Sequence, residues 1–310
     1  MVVDRQADID RQSGGGLTGF IRRRPLLSFF VLANTMSWIA WIPYILSGTG
    51  LGVWDWSFPA VLGTTQLLGM LPGAYLGPIV SAYLVTRIAD GRPGVRRWTA
   101  RLWKWRVSWR WYVGVLLGVP ATLIVTAVAI TDGQIQFPPT QVLVLYLPLM
   151  LLQFVTTGVA EEPGWRDFAL PRLQAKYGPI GATLILGPLW GIWHLPLFFS
   201  EWGGWPDVEP MTVLKFVASC VTLSLVMTWV FNRTGESLPL AVILHIGINT
   251  FFSLAYEPMF PTIGSHAGSM DVQLLATTTV ALILLIATRG RLGYRREVSP
   301  APVEPGRPTG

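Results

Sequence analysis

Residues 141–170 read QVLVLYLPLMLLQFVTTGVAEEPGWRDFAL. The stretch opens as an uncharged, largely apolar run of about 20 residues, the length at which an α-helix crosses roughly 30 Å of hydrocarbon. It then holds Glu161, Glu162, Arg166 and Asp167. A span that carries four ionisable residues in its last third is either two things joined or one helix with chemistry in it. The rest of the chain decides between these.

Only 13% of the 310 residues are charged and 51% are hydrophobic, with 15 tryptophans and a single cysteine. A soluble domain carries about a quarter charged residues, so this balance indicates a membrane protein. The lone Cys220 excludes a disulfide framework, a Cys-type zinc site and a CxxC redox motif. Apolar runs at 26–48, 60–87, 111–131, 141–170, 180–200, 211–231, 238–256 and 271–288 predict an all-α, polytopic fold of about eight transmembrane helices. With the N-terminus inside and the sides alternating, every Lys and Arg except Lys215 falls on the inner side. That obeys the positive-inside rule and implies cytoplasmic N- and C-termini. The stretch VRRWTARLWKWRVSWRWY, residues 95–112, interleaves Arg with Trp. Between two spans it reads as an interfacial helix on anionic lipid rather than a nucleic-acid patch.

Ionisable residues inside spans are functional candidates, because each costs several kcal/mol unless paired or hydrated. Two of the three histidines qualify: His194, in WGIWH at 190–194, and His245, in HIGIN at 245–249. If the fourth helix ended at Glu161, that carboxylate would lie at the inner surface, about 20 Å from the depth of His194. If the helix continues to about Pro171, Glu161, His194, His245 and Asn249 all lie within roughly 12 to 21 Å of the inner end. They can then line one cavity among helices 4, 5 and 7. The continuation also puts Glu162 and Arg166 at i and i+4, where they can pair. A glutamate, two imidazoles and an amide in a partly dry cavity suit activation of water and stabilisation of an oxyanion. The same Glu161, His194 and His245 could alternatively hold Zn with an open water position. The blander readings are an architectural Glu162–Arg166 ion pair and helix-bridging histidines. Trp190, Trp193, Trp202 and Trp205 read as packing or interfacial belt.

At these residues the sequence resembles the CPBP intramembrane protease family, which includes the type II CAAX prenyl endopeptidases and Abi-like bacterial proteins linked to bacteriocin processing or immunity. The family's motifs are EExxxR, FxxxH and HxxxN. The first is met by Glu161, Glu162 and Arg166, and the third by His245 and Asn249. The second departs in its first position, where Trp190 stands for Phe ahead of His194. The resemblance reaches from Gly77-Pro78 to Asn249. It implies that Glu161 is the general base for the attacking water and that His194 orients that water or shares a proton. It also implies that His245 and Asn249 stabilise the oxyanion, with Glu162 and Arg166 supporting the site.

The expectation is therefore a domain over 20–297, with its motif core at about 141–256, between disordered cytoplasmic tails at 1–19 and 298–310. Its activity would be an intramembrane endopeptidase acting on a peptide or membrane-protein segment, with no required cofactor and no nucleic-acid partner. A non-proteolytic immunity or scaffold protein of the same fold is the alternative, and a proton-coupled transporter a third. The excess of Arg over Lys resembles that of GC-rich bacteria. The setting expected is thus a bacterial plasma membrane, without inheritance of prenyl substrates.

Overall fold

The computed structural model describes residues 16–295. The expected tails lie outside these, except that residues 17–19, assigned to the first tail from sequence, begin a short helix, α1 (Leu17–Arg23). The described residues are all-α, with no named strand. After α1 come α2 (Pro25–Leu46), α3 (Gln66–Ala89), α4 (Gly91–Leu102) and α5 (Trp109–Ile130). A long helical stretch, Thr140–Phe199, is followed by Pro210–Arg233, Leu238–Met259 and His266–Ala287.

Among the described residues seven continuous helical stretches are long and apolar enough to cross a membrane. The chain is an integral membrane protein. Thr140–Phe199 is not one rod, because Gly178 interrupts it at φ 70, ψ 175. Those angles lie in a region that essentially only glycine populates. Glu161 and His194 stand nearly equidistant from Gly178 in sequence, yet their side chains approach to 4.0 Å. The stretch therefore folds back at Gly178 into two arms, α6 (140–177) and α7 (179–193), the latter extended by the 3-10 turn Leu195–Phe199. With α8 (Pro210–Arg233), α9 (Leu238–Met259) and α10 (His266–Ala287) this gives the eight rods that the apolar runs predict.

Local sequence explains the helix ends. Proline occupies the first turn of α2, α8 and α9, where its missing N–H costs nothing. The predicted helix over 95–112 is shorter than expected. It is α4, which ends at Leu102, and a turn at 103–108 separates it from α5. Within that turn Trp105 and Val107 donate their backbone N–H groups two residues back, closing the chain on itself instead of extending the helix.

The most buried span is α9, the central post of the bundle. The end of α6 that carries Glu161, Glu162 and Arg166 lies between it and α3. A side chain at Gly164 would come within 2.8 Å of the Pro78 backbone, so glycine there lets α3 and α6 touch. At the arginine-rich end α4 packs under the same turn of α6. Trp98 donates its indole N–H to the Pro163 carbonyl at 2.9 Å. Arg101 meets Asp167 at 2.6 Å and Glu236 at 2.7 Å. Burial works against the Arg101 charge, but those two carboxylates outweigh it and hold its pKa above the ordinary guanidinium value.

Candidate active site

Glu161 and Glu162 close a short α-helical turn of α6, and Pro163 follows. Proline lacks the N–H that the i→i−4 ladder needs. From Pro163 to Ala169 the helix widens into a π-helix, a form that recurs at functional sites. The helix thus continues through the charged stretch, and it extends beyond Pro171 to Tyr177. Neighbouring residues on a helix point about 100° apart, and the two glutamates accordingly meet different partners. Both are buried, as are Arg166, His194 and His245.

Glu161 faces α7. Its Oε2 accepts the indole N–H of Trp190 at 2.8 Å and lies 4.0 Å from His194 Nε2. The other ring nitrogen of His194, Nδ1, is 2.9 Å from the Trp190 carbonyl. A carbonyl can only accept, so Nδ1 carries a proton, and with the ring uncharged Nε2 would present its lone pair towards Glu161. The ring is held flat against Trp202, at 5.6 Å and 13° between planes, with Phe216 edge-on at 5.0 Å.

Glu162 faces α9. Its Oε1 accepts from His245 Nδ1 at 2.7 Å and from Arg166 Nη1 at 3.3 Å. Arg166 Nε stands 3.3 Å from Oε2, though Oε2 makes no aligned hydrogen bond. Arg166 also donates to Ser224 of α8 at 3.1 Å. With Nδ1 fixed on Glu162, Nε2 is the His245 atom left for another partner. Asn249, one turn further along α9, is partly exposed and makes no side-chain hydrogen bond among the described residues.

The six residues singled out from sequence are brought to one region by α6, α7 and α9, with two adjustments. The sequence reading gathers both histidines around Glu161, whereas the structure gives each glutamate its own. It also underrates the tryptophans. Trp190 is the hub of the site, since it holds Glu161, lies under the Arg166 guanidinium at 4.0 Å, and meets the His245 ring edge-on at 5.2 Å. The available signal was its place as the aromatic of FxxxH, where an indole N–H can do what a phenyl ring cannot. Trp202, read as belt, stacks on His194. Among the described residues no three His, Cys, Asp or Glu side chains gather as a metal-binding group.

Residues 143–251, which contain every residue of this site, match the Type II CAAX prenyl endopeptidase Rce1-like family. The chain is also 26% identical over 223 residues to CAAX prenyl protease 2 of Methanococcus maripaludis, covering 67% of this chain and 79% of the relative. By both matches the chain is similar to the Rce1-like CAAX prenyl endopeptidases. That likeness points to a CAAX-protease-type hydrolase of the membrane.

Proposed function

We propose that the protein is an intramembrane endopeptidase that cleaves a peptide bond with a water activated by Glu161, without a permanent metal. The observation that carries this reading is the 4.0 Å gap between Glu161 Oε2 and His194 Nε2. It is too wide for a direct hydrogen bond and suits a water that donates one hydrogen to the carboxylate and the other to the imidazole lone pair. Such a water presents its oxygen to a substrate carbonyl. Glu161 takes the water's proton as the oxygen attacks the carbonyl carbon, and the C=O electrons move to oxygen.

The resulting oxyanion meets Asn249 Nδ2 and His245 Nε2, the latter as the protonated ring. Two carboxylates and one guanidinium leave the buried cluster one positive charge short, and a protonated His245 on Glu162 balances it. When the tetrahedral species collapses, the C–N bond breaks and the Glu161 carboxyl returns its proton to the leaving amine. Glu162 and Arg166 act by positioning. The distribution of arginine supports a cytoplasmic placement of the termini and of the α4 side, and substrate would then enter from there as a peptide or membrane-protein segment.

The test is cleavage of a peptide library by purified protein. Wild type cleaves and Glu161→Gln and His194→Ala do not. Equal cleavage by both variants overturns the reading.

A further inference from the structure

At the arginine-rich end, away from the Glu161 site, the end of α3 and the outward face of α4 enclose a cleft of about 460 Å³. It is lined by Tyr83, Arg87, Arg92, Val95 and Arg96. Arg92 and Arg96 are one turn apart, on the same face of α4, and Arg87 reaches in from α3. None of the three forms an ion pair among the described residues. The nearest acid in sequence, Asp90, is engaged by Arg172 at 2.5 Å. Three guanidinium groups around one cleft without an acid repel one another, and an anion would relieve this. The fork of a guanidinium matches phosphate oxygens in bidentate fashion. The cleft lies at headgroup depth, because exposed Trp103 and Trp105 follow directly on α4 and such rings settle at the membrane–water interface.

We infer that Arg87, Arg92 and Arg96 form a binding site for a phosphate group, supplied by an anionic glycerophospholipid of the leaflet at the arginine-rich end. Tyr83 and Val95 supply the less polar wall that a lipid, rather than free phosphate, would use. The opposite face of α4 carries Trp98 and Arg101, which hold Pro163 and Asp167 of the catalytic turn. A lipid phosphate in the cleft would therefore fasten to the membrane surface the helix that seats Glu161 and Glu162. The inference does not depend on the hydrolytic reading, and its readout is binding.

The experiment uses the full chain in non-ionic detergent, equilibrated with mixed phosphatidylglycerol and phosphatidylcholine, with retained lipid quantified by mass spectrometry. Wild type enriches phosphatidylglycerol several-fold over the mixture. The triple variant Arg87→Gln, Arg92→Gln, Arg96→Gln loses the enrichment. A charge-matched control, Arg97→Gln, Arg106→Gln, Arg291→Gln, keeps it. All six positions are exposed, and monodisperse gel filtration of both variants separates binding from folding. If the two triples lose enrichment equally, or if the first keeps it, diffuse surface charge binds the lipid and the site is overturned. A parallel arm measures inorganic phosphate binding. Phosphate bound by wild type and lost in the first triple, with lipid enrichment unchanged, overturns the lipid source.

Discussion

The Trp190 indole N–H donates to Glu161 Oε2 at 2.8 Å across the α6–α7 contact, so the carboxylate of the proposed base is aimed by a residue twelve positions beyond the turn at Gly178. Trp190→Phe keeps an aromatic ring under Arg166 and removes only the donor. A hydrogen bond to a charged group contributes about 1.5–3 kcal/mol, and each 1.36 kcal/mol is tenfold in rate. The expected outcome is a kcat lower by roughly ten- to a hundredfold with KM nearly unchanged. A purely packing role for Trp190 would leave kcat within about twofold and lower only the unfolding temperature.

Metal removal gives a second prediction. His194 Nδ1 is committed to the Trp190 carbonyl and His245 Nδ1 to Glu162, and the proposed chemistry needs Glu161 and one water. Protein treated with a strong zinc chelator and freed of it by gel filtration should retain its activity, with substoichiometric zinc by elemental analysis. Activity that falls with the zinc content and returns on adding zinc would move Glu161, His194 and His245 into the role of ligands.

Arg166 is 1% exposed and is the guanidinium that faces Glu162. Removing one partner of a buried ion pair costs about 3–5 kcal/mol, because the other charge stays behind. Arg166→Met should therefore lower the unfolding temperature in detergent sharply. Adding Glu162→Gln should recover much of the loss, since the stranded carboxylate is gone, while activity stays low because His245 then faces a neutral amide in place of the carboxylate. Additive destabilisation by the two substitutions would show that the pair is not coupled.

The parts of the fold that follow from period and length were legible in the sequence. Eight apolar runs, the depth match of Glu161, His194 and His245, and the i, i+4 pairing of Glu162 with Arg166 need only 1.5 Å per residue and 3.6 residues per turn. Which glutamate meets which histidine was not legible. Adjacent residues on a helix differ by 100°, and nothing in the sequence sets the rotation of α6 about its own axis. The π-turn at Pro163–Ala169 shifts that rotation further for the residues after it. The role of Trp190 was hidden because apolar periodicity counts an indole as a hydrophobe and does not see its N–H. The early stop of α4 at Leu102 depended on local backbone hydrogen bonds at 103–107, which an Arg/Trp pattern does not encode.

Gly178 separates two descriptions of the longest helical stretch by the sign of one substitution. Were 140–199 a continuous helix, Gly178→Ala would stabilise it by up to about 1 kcal/mol, the difference in helix propensity between the two residues. At φ 70, ψ 175 a Cβ meets its own backbone instead, and a non-glycine residue in that region costs on the order of 1–3 kcal/mol. No neighbouring atom lies within 4 Å of the position such a Cβ would take, so the penalty is one of backbone conformation and not of crowding. Gly178→Ala should therefore lower the unfolding temperature. Because the reversal at Gly178 brings Trp190 and His194 back to Glu161, the same variant should also lose peptide cleavage, although residue 178 touches none of them. A variant that is more stable and equally active would mean that α6 and α7 do not turn at this residue.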